Sequence, residues 1–167
     1  MQFTPSQLSR IDAAFKQGAA DASVALGKWL GVPSLITIES VNQQPMSAAP
    51  GLLGQTDDVV CFCVMNLTGS LSGYLVLSFD DASGLALADL LLKRPTGSST
   101  EWDEVAQSAA LETHNIVGCA YLNTPAQQIW SDSVQDRELI PSPPSFFRDF
   151  AESLLQSVLM DQAVGSD

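Results

Sequence analysis

The stretch VVCFCVMNLTGSLSGYLVLSF, residues 59–79, decides the fold. Val59 to Leu67 is β-branched and aromatic, and Gly73 to Phe79 alternates, so both halves read as strands. Between them TGSLSG, residues 68–73, supplies the glycines that a hairpin turn needs. Cys61 and Cys63 alternate with Phe62 and Val64 and share one face of the first strand. Asp80 and Asp81 then open a helix over residues 82–93, closed by Pro95 and Gly97.

Working outward, Ser6 to Leu30 carries apolar residues at helical spacing, with Ser6 as the expected cap and Gly31 and Pro33 as the stop. Leu35 to Ile38 has strand composition, and a Pro-, Ala- and Gly-rich loop follows to Gln55. Glu101 to Asn123 reads as a third long helix, capped by Thr100 with Asp103 three residues on and limited by Pro125. A short strand is expected near Ile129 and Trp130. Ser142 and Pro143 are expected to start a fourth helix through Gln162, with an apolar stripe from Phe147 to Leu159. Hairpin strands with separate long helices make an α+β layered domain, not a parallel α/β sheet. Residues 11–30 and 110–122 are both Ala-rich helices with small residues at close-packing positions, a faint two-fold repeat.

Composition narrows the function. The chain of 167 residues is long enough for a sizeable core, and 46% of it is apolar. Nineteen acids against seven bases give a net charge of -12. With no Lys/Arg cluster, nucleic acid and anionic membranes are disfavoured as partners, while a partner with a positive patch suits the surface. No secretory signal opens the sequence and no apolar run is long enough to span a bilayer, so a cytoplasmic protein is expected. The three cysteines, an odd number spaced C-x-C plus one, with a single histidine, fit neither a disulfide framework nor a zinc site, and read as small buried hydrophobes. Trp29, Trp102 and Trp130 read as packing anchors.

The chemistry-bearing motif is ETHN, residues 112–115, inside ALETHNIVGCAYLN. Glu112 and Asn115 are three apart, so on a helix the carboxylate and the amide project from nearly one face. The same spacing recurs at Glu39 and Asn42, but at the end of a strand candidate an offset of three puts side chains on opposite faces. His114 would flank the Asn115 face, yet no nucleophile with a positioned base accompanies it.

ETHNIVGCAYLN with the preceding LADLLL resembles the CheC/CheX/FliY family of chemotaxis phosphatases, whose members carry Glu-x-x-Asn on a long helix followed by small residues and a Tyr-Leu-Asn-like segment, here Tyr121 to Asn123. The hairpin GSLSGYLVLSF and the helix GAADASVALGKWLG, residues 18–31, are similar to further family elements, so the likeness spans residues 8 to about 163. It implies a single two-layer CheC-like domain over residues 1–167 with a pseudo-two-fold repeat, 6–94 and 100–164, and long helices on a mainly antiparallel sheet. It implies hydrolysis of the phospho-aspartate of a CheY-type response regulator. Asn115 would enter the regulator's site and orient the attacking water, and Glu112 would pair with a regulator lysine near the phosphate. The chain itself would bind no cofactor or metal, the Mg²⁺ being held by the regulator.

Two departures from the family pattern matter. The first-repeat Glu and Asn positions align with Ala13 and Lys16, which leaves one active face, as in the CheX-like branch. The chain also stops at Asp167 where the family continues into a closing hairpin. The resulting free sheet edge implies a homodimer by edge pairing. In CheC-like proteins the helix matching the Phe147–Leu159 stripe is also a docking surface for a CheD-like deamidase. The alternative to an enzyme is a non-catalytic CheC-like module docking to a response regulator, a deamidase or a flagellar switch component.

Overall fold

The computed structural model describes residues 3–44, 58–69, 72–130, 139–150 and 153. The elements in chain order are α1 (Pro5–Leu30), β1 (Val59–Gly69), β2 (Gly73–Phe79), α2 (Asp81–Leu91), α3 (Glu104–Trp130), β3 (Leu139–Pro141) and β4 (Ser145–Phe150). This is the expected α+β fold, long helices with an antiparallel sheet. In the sheet β1 lies between β2 on one side and β3 and β4 on the other. The chain forms two compact units, Met1–Gln43 with Leu67–Ser72 and Glu112–Ser142, and Gln44–Asn66 with Gly73–Leu111 and Pro143–Asp167.

In the second unit, β1 is covered on both faces, which is why its sequence is a continuous apolar run. Cys61 to Met65 are all at most 9% exposed. On one face Phe62 and Val64 gather Val60, Tyr74 and Val76. On the other, Cys61 and Cys63 stand opposite Arg148 and Phe146 of β4. The Asp81 carboxylate, in the first turn of α2, collects this face. It accepts from Trp102 Nε1 at 2.9 Å, from Arg148 Nε at 2.9 Å and Nη2 at 2.5 Å, and from the Cys61 thiol at 3.4 Å. The Trp102 ring stacks on Phe79 and tilts against Phe146, 4.9 Å between centroids for the latter pair. Residues 145–150, expected as helix, are therefore strand: they satisfy the second edge of β1 and bring Arg148 to Asp81. The rest of the expected fourth helix lies outside the described residues, Ser153 excepted.

Asp89, fully enclosed on α2, organises the connector to α3. Its carboxylate accepts from the backbone N–H of Gly97 at 2.8 Å, of Ser98 at 2.9 Å and of Ser99 at 3.1 Å, and from both serine hydroxyls. These donors, the Ser99 hydroxyl foremost, outweigh desolvation and hold its pKa down at about 2.

In the first unit, α1 is capped by Thr4, not Ser6, through a reciprocal box with Gln7, and ends at left-handed Gly31. Its buried stripe is Ala14, Gly18, Ala19, Ala22 and Ser23. The Ser23 hydroxyl donates to the Ala19 carbonyl at 2.7 Å and accepts from Ile36 N at 2.8 Å. A helix side chain thus takes the backbone donor that a strand neighbour would have used, and residues 35–38 form no strand, contrary to expectation.

Pro125 does not stop α3, and the expected strand near Ile129 is its last turn. Proline deprives the Tyr121 carbonyl of its helical donor. That carbonyl and the Pro125 ring lie against Gly18, where a Cβ would collide with Tyr121 O and touch the ring. Phe15 stacks on Tyr121 at 5.6 Å nearby, and Thr124 donates to Asp21 at 2.5 Å.

Two outcomes follow from these contacts. Gly18→Ala lowers stability by about 2 kcal/mol, read from the urea midpoint, because backbone and not a flexible side chain blocks the new methyl. Asp89→Asn lowers the melting temperature at pH 7, because an amide sets its own N–H₂ against a ring of donors. Since the folded carboxyl lies below its ordinary 3.8, Asp89 contributes stability above that pH and loses it as the pH falls toward about 2. The gap in melting temperature between wild type and Asp89→Asn therefore narrows from pH 4 to pH 2.

Candidate functional site

The long Ala-rich helix α3 begins one turn later than expected. Asp103, not Thr100, is its cap, accepting from Ala106 N at 2.7 Å. From there one side of the helix turns inward: Ala106, Ala110, Thr113, His114, Gly118, Leu122 and Pro125 are buried. That three-and-four spacing fixes what is left outside.

The four residues of ETHN divide between the two sides. Thr113 and His114 are each 2% exposed, whereas Glu112 is exposed and Asn115 is half-buried. Thr113 accepts from Trp29 Nε1 at 3.0 Å, so α1 pins the rotation of α3 at the motif itself. Glu112 and Asn115 are thereby presented on one outward face, as their spacing predicts. His114 does not flank that face, and a stand-alone hydrolase built on it has no geometric support. One turn beyond, the Cys119 thiol donates to Asn115 Oδ1 at 3.6 Å. Cys119 is exposed, against expectation, because it follows the outward and not the inward spacing; its neighbour Gly118 is the buried small residue. Cys61 and Cys63 are buried as expected, and burial pushes both thiols up to about 12, far from reactive thiolates.

The aligned first-repeat positions carry no such pair. Ala13 and Lys16 are exposed on α1, and Lys16 is held by Asp12 at 2.7 Å. The other Glu-x-x-Asn match, Glu39 and Asn42, lies in irregular chain, so no helix gives it a common face. Among the described residues no group of three or more His, Cys, Asp or Glu is arranged to hold a metal, and no helix is long and apolar enough to cross a membrane.

Beside the motif runs an open groove of about 440 Å³, lined by Asp21, Val24, Ala25, Lys28 and Trp29 of α1 and by Ile116 of α3. Sequence reading treated Trp29 as packing and passed over Val24 and Lys28. Val24 stands off the helical apolar spacing of α1, which is the signal that could have found the groove.

No family model matches the sequence, and no curated protein matches it. Solved structures do. FliY from Thermotoga maritima superposes with a TM-score of 0.72 at 21% identity, over 92% of this chain and 74% of that one. A chain of the FliM–SpeE complex from H. pylori gives 0.58 at 15% identity, over 87% and 71%. CheX from Desulfovibrio desulfuricans gives 0.53 at 14% identity, over 84% and 78%. The protein is an α+β module of this kind: its fold is that of the CheC/CheX/FliY family.

The division of ETHN has a direct test. Glu112→Ala changes unfolding free energy by less than about 0.5 kcal/mol, as for an exposed side chain, whereas His114→Ala costs about 2 kcal/mol, both measured by urea denaturation.

Proposed function

We propose that this protein is a phosphatase acting on the phospho-aspartate of a CheY-type response regulator, with one active face formed by Glu112 and Asn115. The observation that carries the reading is their shared outward presentation on α3 while the two residues between them turn inward. A partner's active site can reach an exposed pair on a rigid helix, and could not reach a buried one.

The chemistry suits these residue types. An acyl phosphate hydrolyses unaided, so the main task is to place water in line with the phosphorus. The amide of Asn115 can accept from that water and donate to a phosphoryl oxygen at once. The water oxygen forms the new bond to phosphorus as the bond to the aspartyl oxygen breaks; the carboxylate leaves, and inorganic phosphate is released. Glu112, ionised at neutral pH, pairs with a lysine of the regulator and fixes the approach. Mg²⁺, on this reading, is held by the regulator. The exposed Ala13 and Lys16 offer neither an acid nor an amide, so the reading assigns the first helix no chemistry.

The test is phosphate release from phosphorylated CheY-type regulators with wild type, Asn115→Ala and Glu112→Ala. Wild type accelerates release, and each substitution reduces the acceleration more than about tenfold, a barrier increase above about 1.4 kcal/mol. Binding without acceleration across a panel of regulators would instead leave a docking module, in which the pair serves only as contact surface.

A further inference from the structure

The groove beside the pair has no occupant within the described chain. Ile116, its α3 wall, is one helical turn from Glu112 and adjacent to Asn115, so the groove and the acid–amide pair lie on neighbouring strips of one surface. The α1 wall is apolar where an ordinary exposed helix is polar: Val24 is 57% exposed and Trp29 is 37% exposed. Asp21, the groove's acid, is already engaged by Thr124 at 2.5 Å and by Gln17 at 3.3 Å. Lys28 is exposed, and among the described residues no ion pair or hydrogen bond engages it. In a chain with a net charge of -12, an unneutralised cation beside an exposed valine and tryptophan selects a particular complement. That complement is a surface presenting a carboxylate next to an apolar side chain.

We infer that this groove is the docking wall for the regulator whose phospho-aspartate meets Asn115: an acidic residue of the regulator pairs with Lys28 while a neighbouring apolar side chain seats against Val24, Trp29 and Ile116. The inference rests on the phosphatase reading for the identity of the partner. It gives α1, which lacks an acid–amide pair, the task of recognition, while α3 retains the chemistry. Recognition and catalysis then fall on different residues and separate in kinetics.

The experiment titrates each variant with a CheY-type regulator activated by beryllofluoride, which mimics the acyl phosphate without turnover, and then measures phosphate release at saturating phosphorylated regulator. Val24→Asp and Lys28→Glu are surface changes, and an unchanged melting temperature confirms their folding. Each weakens Kd about tenfold and keeps the saturated rate within about twofold of wild type. Asn115→Ala does the reverse, keeping Kd and losing the rate. Lys28→Glu also flattens the salt dependence of binding. Wild-type affinity in both groove variants overturns the docking wall while leaving the phosphatase reading intact. A regulator that binds through the groove but is not hydrolysed faster overturns the phosphatase reading and supports the wall. Absence of any binding across the regulator panel overturns both.

Discussion

The arrangement of the functional face depends on one close approach, Gly18 of α1 against the Tyr121 carbonyl and the Pro125 ring of α3. A proline inside a helix removes an N–H and leaves the carbonyl four residues earlier without its partner. Exposed to a bulky neighbour, that carbonyl would be a defect. Against a glycine the two backbones come close enough for Cα–H to face the oxygen. Phe15 on Tyr121 and Thr124 on Asp21 pack on the same crossing, and Trp29 to Thr113 fixes it a second time, toward the other end of α1. Two anchors, along one pair of helices, leave α3 no freedom to roll. A roll of one residue, about 100°, would carry Asn115 inward and bring His114 toward solvent.

The second unit is tied by a different device. Asp81 joins α2, β1, β4 and the approach to α3 through one carboxylate. The Arg148 fork is its strongest partner and holds its pKa well below the ordinary carboxylate range. The ion pair is partly solvated, so geometry is its main contribution, not net energy. It places β4 in register beside β1 with Phe146 under Trp102, and Gly84 one helical turn later leaves room for the Phe79 and Trp102 rings. Asp89 acts likewise within α2, turning a polar connector into a fixed loop without a counter-charge.

Much of this was legible from sequence. The β1–β2 strands, α2 and the bodies of α1 and α3 follow from periodicity and from β-branched content, both local signals. The outward pair follows from a spacing of three on a helix. What was misread turns on contacts distant in sequence. SFFRDF carries two aromatics and an arginine compatible with either a helix or a strand. Only the unpaired edge of β1 and the carboxylate of Asp81 decide for the strand. LITI has strand composition, but the Ser23 hydroxyl intercepts the Ile36 N–H. Pro125 is an honest stop signal that a glycine 107 residues earlier makes harmless. The inward position of His114 was available from its place in the 106, 110, 114, 118 series, had that series been weighed against its neighbour Asn115.

The fold by itself does not decide between chemistry and docking, and there is a physical reason. Glu112 and Asn115 sit on an outward strip that contributes little to the core, so replacing them costs the fold almost nothing. The same holds for Ala13 and Lys16 on α1, where Lys16 has only a local partner in Asp12. A scaffold of this kind can carry an acid–amide pair on either helix, on one or on neither, with the same packing underneath. Stability therefore resides in the small residues of the crossing and the carboxylate knots, while function resides in a few side chains whose direction that packing sets. The informative quantity for such a protein is the rotation of α3 about its own axis. Trp29, Gly18 and Pro125 hold that rotation where the carboxylate and the amide both face a partner.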